Sequence, residues 1–88
     1  MRTGLAAPAR RVFANLGRAL AAAGASPGHV AKITIYVAGH RHECLPVIDA
    51  ARAGLFADRK PAVTVMGVKT LTRPEYLIDV HAIAVIDR

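Results

Sequence analysis

The side chains best suited to acid–base chemistry in this 88-residue chain are Asp79 and His81, which lie two positions apart near its end. In an extended strand, residues two apart point to the same face, so a strand here places the carboxylate beside the imidazole. Leu77 and Ile83 would share that face, and apolar surroundings disfavour the charged carboxylate, which suits a general base or proton donor near neutral pH. The alternative is structural: the two side chains support each other as a polar pair at an interface.

A second group of reactive side chains alternates along the chain at His40, His42 and Cys44. In an extended segment all three would point the same way, as a metal site can require. A helical pattern that begins at Glu43 would instead turn Cys44 away from His40, and no fourth ligand is near in sequence. We therefore predict no metal site and no cofactor. Cys44 is the only cysteine, and no activating base can be assigned to it, so neither a disulfide nor a nucleophilic role is expected.

Composition excludes several classes of function. The formal charge of +6 comes from twelve Lys or Arg residues that are spread along the chain, so a nucleic-acid partner is not expected from charge alone. No apolar run has the length of a signal peptide or of a membrane span, which predicts a soluble, cytoplasmic protein with no membrane partner. No glycine-rich phosphate loop, Ser-His-Asp order or paired-carboxylate motif is present.

Hydrophobic spacing predicts the elements that would position these residues. Apolar residues at three- and four-residue intervals predict helices over 8–23 and 43–56, the first of them ended by Gly24. Alternating β-branched residues predict strands over 30–37, 62–69 and 76–86, with a turn at 73–75 before the last. Ser26-Pro27 predicts a single helical turn, and Gly67 a bulge or a close approach of another part of the chain.

This order of elements predicts one domain over residues 1–88, with an α+β fold in which both helices cover one face of a mixed β-sheet. A chain of this length buries only roughly 60 to 65 % of its unfolded surface. Both faces of the last strand are mostly apolar, and such a face is not expected to lie open to water. We therefore expect a homo-oligomer that forms through the free face of the sheet.

Four blocks of sequence, in this order, resemble the RidA/YjgF family, also called the endoribonuclease L-PSP family: Ala21-Ala-Ala-Gly-Ala-Ser, Val30-Ala-Lys-Ile-Thr-Ile-Tyr-Val, Lys60-Pro-Ala-Val-Thr-Val and Leu77-Ile-Asp-Val-His-Ala-Ile-Ala-Val. The resemblance implies a chorismate-mutase-like fold, and trimers with active sites in the clefts between subunits. Family members usually begin with a two-stranded hairpin that brings a tyrosine and a serine to the cleft. No such hairpin precedes the first predicted helix in this sequence, which indicates either a truncated gene start or a short variant whose sheet lacks two strands.

The resemblance also implies roles for individual positions. Val63 stands where deaminating members carry an arginine that grips the carboxylate of a 2-imino acid, and valine has neither charge nor donor. Asp79 stands at the position of a catalytic glutamate that holds or activates the attacking water. The implied substrate-binding positions are Val65, His81 and Asp49, and Asp49 is also expected to pair locally with Arg52.

Three functions follow from this resemblance. The first is binding or hydrolysis of small reactive enamines and imines in intersubunit clefts, with 2-imino acid deamination not expected because of Val63. The second is a non-catalytic, metabolite-binding or structural member of the family. The third is RNA binding or cleavage, with which the basic charge is compatible.

Overall fold

The computed structural model describes residues 3–57, 61–71 and 77–86. Two helices, α1 (Ala6–Ala22) and α2 (Leu45–Phe56), pack on a sheet of three strands, β1 (Val30–Ala38), β2 (Ala62–Val68) and β3 (Ile78–Ala84). Short 3-10 turns precede α1, β1 and α2. The predicted α+β fold is confirmed, and the predicted helix and strand ends lie within a few residues of the observed ones. The predicted turn at 73–75 lies outside the described residues.

Helix α1 ends where its sequence predicts. Gly24 adopts a φ of 77°, which is accessible mainly to glycine, and its N–H donates to the Ala21 carbonyl at 3.0 Å. The Ala25 N–H reaches back to the Leu20 carbonyl at 2.8 Å. These two bonds form a Schellman motif, which satisfies carbonyls that the helix end would otherwise leave free.

The two helices contact each other closely through a small and a large residue. A Cβ built at Gly17 would lie 3.0 Å from Leu55 Cδ1, so the side chain of α2 occupies the space that a larger residue would need. Phe13 and Phe56 meet edge to face, with ring centroids 6.4 Å apart, at the centre of the core. Neither helix in the described ranges has the length and apolar character needed to cross a membrane.

The sheet is mixed, with strand order β2-β1-β3. Strand β2 runs parallel to β1 and pairs Val65 with Ile35, whereas β3 runs antiparallel and pairs Val80 with the same residue. Directly paired residues point to the same face. Ile33, Ile35 and Val37 are buried under the helices, so their paired residues in β2 and β3 point to the helix side as well.

The alternate residues point away from the helices, and we call this side of the sheet the open face. On it lie Lys32, Thr34 and Tyr36 of β1, Thr64 and Met66 of β2, and Asp79, His81 and Ile83 of β3. Leu77, next to the start of β3, continues this alternation. The open face is only partly buried within one chain, and large apolar side chains such as Met66 and Ile83 are exposed on it. Self-association through this face stays a prediction.

Candidate functional site

Asp79 and His81 meet on the open face as the sequence predicted. The register places Asp79 beside Tyr36 and His81 beside Thr34 in the neighbouring strand β1. The alternation of β3 is what brings the carboxylate and the imidazole to one face, since residues two apart share a face. The intervening Val80 points to the helices and packs against the core, which fixes the direction of the strand.

A direct hydrogen bond joins the acid–base pair. His81 Nε2 lies 3.0 Å from Asp79 Oδ2, and because a carboxylate only accepts, the imidazole is the donor. Both side chains stay accessible, with 52 % of Asp79 and 64 % of His81 exposed. Asp79 therefore keeps lone pairs free to accept a proton from water or to bind a donor on a ligand.

Tyr36 completes this cluster, and the sequence analysis did not select it. Its ring meets the His81 imidazole edge to face, with centroids 5.3 Å apart and an interplanar angle of 72°. The contact limits the orientations of the imidazole and offers a flat apolar wall beside the polar pair. The sequence does indicate that Tyr36 lies on the open face, because it alternates along β1 with the buried Ile35 and Val37. The sequence did not show that β1 pairs with β3, which is what brings Tyr36 next to His81.

Val63 and Val65, the positions that the resemblance assigned to substrate contacts, lie on the other side of the sheet. They pair with Ile33 and Ile35 and therefore point toward the helices. Val65 is half-buried and packs against the core, whereas Val63 is 41 % exposed because β2 lies at the end of the three described strands. Strand β1 separates them from Asp79. A site that combined Val63 with Asp79 would need residues from two copies of the chain.

Asp49 lies on α2, away from the open face. Its Oδ1 is 3.7 Å from Arg52 Nε, so the expected local ion pair is present. Asp49 is mostly exposed, and such a pair contributes only about 0.3–0.5 kcal/mol. Within one chain, Asp49 and Asp79 therefore belong to different surfaces of the molecule.

A groove with a volume of about 400 Å³ runs between α1 and the first residues of β3. Arg11, Val12 and Asn15 line it from the helix, and Leu77 to Asp79 line it from the strand. This volume falls at the lower end of the range of small-molecule sites. Arg11 and Asn15 were not selected from the sequence, although their spacing of four places both on one side of the helix.

The alternating His40, His42 and Cys44 do not form a cluster. His42 is exposed and Cys44 is buried, because a 3-10 turn at His42–Cys44 leads directly into α2. Within residues 3–57, 61–71 and 77–86, no group of three or more His, Cys, Asp or Glu side chains could hold a metal ion. His40 instead packs over Gly67, where an added Cβ would lie 3.0 Å from the His40 Cβ. The close approach predicted at Gly67 is thus present.

Comparisons with known proteins place this fold in a family. The family model described as endoribonuclease L-PSP matches residues 1–86. A structure of a Rid-family protein of unknown function from Yersinia pestis shares 34 % identity with a TM-score of 0.82, over 89 % of this chain and 59 % of that one. A YjgF-family structure from Mycobacterium tuberculosis shares 26 % identity with a TM-score of 0.83, over 93 % of this chain and 68 % of that one.

A third structure, of a protein of unknown function from Pseudomonas aeruginosa, shares 33 % identity with a TM-score of 0.76, over 86 % of this chain and 54 % of that one. None of the curated proteins matches the chain. The chain spans between 54 % and 68 % of the length of these three structures. The family match over nearly all of its residues and the shared fold show that this chain belongs to the endoribonuclease L-PSP family, the family of the Rid and YjgF proteins.

Proposed function

We propose that this protein binds small reactive enamines or imines beside the Asp79–His81 pair and hydrolyses them, in a cleft that further copies complete over the open face. The observation that supports this most directly is the hydrogen bond between His81 and an Asp79 carboxylate that remains half exposed. The imidazole holds the carboxylate in one orientation, and Tyr36 supplies a flat wall against which an unsaturated ligand could stack.

The chemistry requires one group that accepts and returns protons. Water adds to the carbon of the C=N bond while Asp79 takes a proton from that water, and a proton is delivered to nitrogen. The C–N bond then breaks, ammonia leaves, and a carbonyl remains, so that one water molecule is consumed. An enamine enters the same sequence after protonation at carbon gives the imine. Positioned acid–base groups of this kind contribute about 10² to 10⁴ in rate.

The cleft is proposed to lie between copies, and a trimer is the assembly that the family resemblance implies. Exposed apolar side chains on the open face, among them Met66 at 46 %, favour coverage by another copy. Val63 and Asp79 lie on opposite faces of one sheet, so only an arrangement of several copies could bring both to one ligand. Coverage would also lower the dielectric constant around Asp79 and strengthen its contacts.

The test is ammonia release from an uncharged imine generated in situ, measured above the spontaneous rate, because Val63 cannot bind the carboxylate of a 2-imino acid. We expect acceleration by the wild type and a rate close to background for Asp79→Asn, which keeps the shape and removes the base. Glu43→Gln is the matched control, because it neutralises an exposed carboxylate in the turn before α2, away from the open face, and it should retain the wild-type rate. Equal background rates for all three proteins would refute hydrolysis.

Val63→Arg tests whether position 63 reaches the same ligand. A bidentate arginine–carboxylate pair strengthens binding of an anionic substrate, so the KM for 2-iminobutanoate should fall while that for an uncharged imine stays unchanged. An unchanged KM for both substrates would show that residue 63 lies outside the cleft.

RNA cleavage is the second candidate, and the description of the family model as endoribonuclease L-PSP favours it. Lys32 and Tyr36 on the open face could contact phosphate and base respectively. A filter-binding assay with single-stranded RNA at low salt decides this, since phosphate contacts are strongest there. Absence of retained RNA would discard the candidate.

A further inference from the structure

Three polar side chains meet on the open face beside the acid–base cluster. Thr34 of β1 and Thr64 of β2 are directly paired, so both hydroxyls lie on that face, on strands about 4.8 Å apart. Lys32 precedes Thr34 by two positions and lies on the same face. Lys32 and Thr64 are exposed, and Thr34 is partly exposed. One ammonium group and two hydroxyl groups are therefore available to a ligand on the open face.

The position of Lys32 is set by an irregularity in β1. The register with β3 shifts between Val30 and Lys32, since Val30 lies opposite Ala84 and Lys32 lies opposite Ile83. Uninterrupted alternation would place Val30 and Lys32 on one face. Because of the shift, Val30 is buried in the core while Lys32 stays on the open face with Thr34. One extra residue in a strand is a β-bulge, and bulges next to active sites re-aim side chains in this way.

We propose that Lys32, Thr34 and Thr64 bind the phosphate group of a small ligand whose C=N end lies beside Asp79. A phosphate monoester is close to doubly charged at neutral pH and presents three terminal acceptor oxygens, which matches one cation and two hydroxyl donors. The flexible stem of Lys32 lets its ammonium group bend over Thr34. The position of the C=N end rests on the proposed function, whereas the phosphate site rests on the three side chains alone.

The register sets the distance between the two ends of such a ligand. Asp79 is paired with Tyr36. Thr34, two residues before Tyr36, therefore lies diagonally opposite Asp79, with roughly 7–8 Å between the Cα atoms. A phosphate bound at Thr34 and Thr64 must then be several covalent bonds from the C=N carbon. The carboxylate of a 2-imino acid is attached directly to that carbon and cannot span this distance. The substrate class that fits is an imine or enamine with a phosphate at the far end of its chain.

The charges on the open face orient a ligand of this kind. Lys32 is four residues from Tyr36, so its Cα lies roughly 14 Å from that of Asp79. A phosphate is attracted to the ammonium group of Lys32 and repelled by the carboxylate of Asp79. Binding in the reverse direction would place two negative groups side by side. The C=N end is therefore directed toward the acid–base pair.

The same side chains fit a terminal phosphate better than the backbone of RNA. An internal RNA phosphate is a diester with one negative charge and two free oxygens, so it leaves one of the three donors without a partner. Tyr36 is the only tyrosine, tryptophan or phenylalanine on the described part of the open face. Surfaces that bind single strands instead stack successive bases on several aromatic side chains.

Binding of inorganic phosphate tests the site without any reaction. Titration followed by NMR should shift the amide signals of Lys32, Thr34 and Thr64 and give a dissociation constant. Lys32→Gln removes the charge and should raise that constant about fivefold or more. Lys69→Gln is the matched control, because Lys69 is an exposed lysine beyond the end of β2, and it should leave the constant unchanged. Equal effects of the two substitutions, or no shifts in the wild type, would overturn the proposal.

Two imines separate this inference from the proposed hydrolysis. One carries a phosphate several bonds from the C=N carbon, and the other carries a hydroxyl group in its place. Lys32→Gln should raise the KM of the phosphorylated imine about fivefold or more and leave its kcat and the KM of the uncharged imine unchanged. Equal KM values for both imines in the wild type would refute this substrate class and leave hydrolysis intact. Lys32-dependent phosphate binding by a protein that hydrolyses neither imine would refute hydrolysis and support the phosphate site.

An RNA strand without terminal phosphates distinguishes the two sources of phosphate. We expect it to bind no more tightly than inorganic phosphate at the same salt concentration, and to be insensitive to Lys32→Gln. Tighter binding that Lys32→Gln weakens would assign the site to nucleic acid and overturn the proposal. Circular dichroism checks that each variant is folded.

Discussion

How closely α1 and α2 pack can be tested by adding a methyl group at each of two helical glycines and comparing the free energies of unfolding. Gly17 in α1 and Gly54 in α2 both lie within helices, but their surroundings differ. A Cβ at Gly54 would meet nothing within 4 Å, whereas a Cβ at Gly17 would lie 3.0 Å from Leu55 Cδ1. The alanine substitutions therefore share a gain in helix propensity and differ in packing.

The magnitudes follow from those surroundings. Alanine is favoured over glycine in a helix by about 0.8–1.0 kcal/mol, and somewhat less near a helix end. Gly54→Ala should therefore raise the free energy of unfolding by about 0.5–1 kcal/mol. Gly17→Ala gains a similar amount, but the Leu55 side chain must move, and overpacking costs about 1–3 kcal/mol. We expect Gly17→Ala to be less stable than Gly54→Ala by at least about 1 kcal/mol.

The assay is urea unfolding followed by circular dichroism, with all proteins at one concentration because association would shift the midpoint. Thermal unfolding should show the same order, since 1 kcal/mol shifts the Tm of a domain this size by about 4–8 °C. Equal stabilisation by both substitutions would show that the helices are farther apart than described. Destabilisation by Gly54→Ala would refute a regular helix at that position.

Two further substitutions test single backbone positions. Gly24→Ala should lower the free energy of unfolding by about 1–2 kcal/mol, because its φ of 77° is unfavourable for a residue with a Cβ, and urea unfolding measures the loss. Gly67→Ala should lower it by about 1–3 kcal/mol in the wild type, because its Cβ would crowd the Cβ of His40. In a His40→Gly background the same substitution should lose that penalty, and an unchanged penalty would place the crowding elsewhere.

The elements of this fold were predictable because each has a local cause. The spacing of Val12, Leu16 and Leu20 defines one buried side of α1, and Gly24 ends the helix in the conformation that glycine favours. Likewise, alternation around Ile33 and Ile35 separates the buried face of β1 from its open face. Such patterns depend on residues a few positions apart, so the sequence displays them directly.

The sequence alone also determined that Asp79 and His81 share a face, since a strand alternates with a period of two. Only the tertiary structure decided what surrounds them. The pairing of β1 with both other strands brings Tyr36 to His81 and turns Val63 to the helix side, across the sheet from Asp79. These relations join residues far apart in the chain, and strand order and register fix them. Because register reflects the packing of the whole sheet against its helices, no local pattern specifies it.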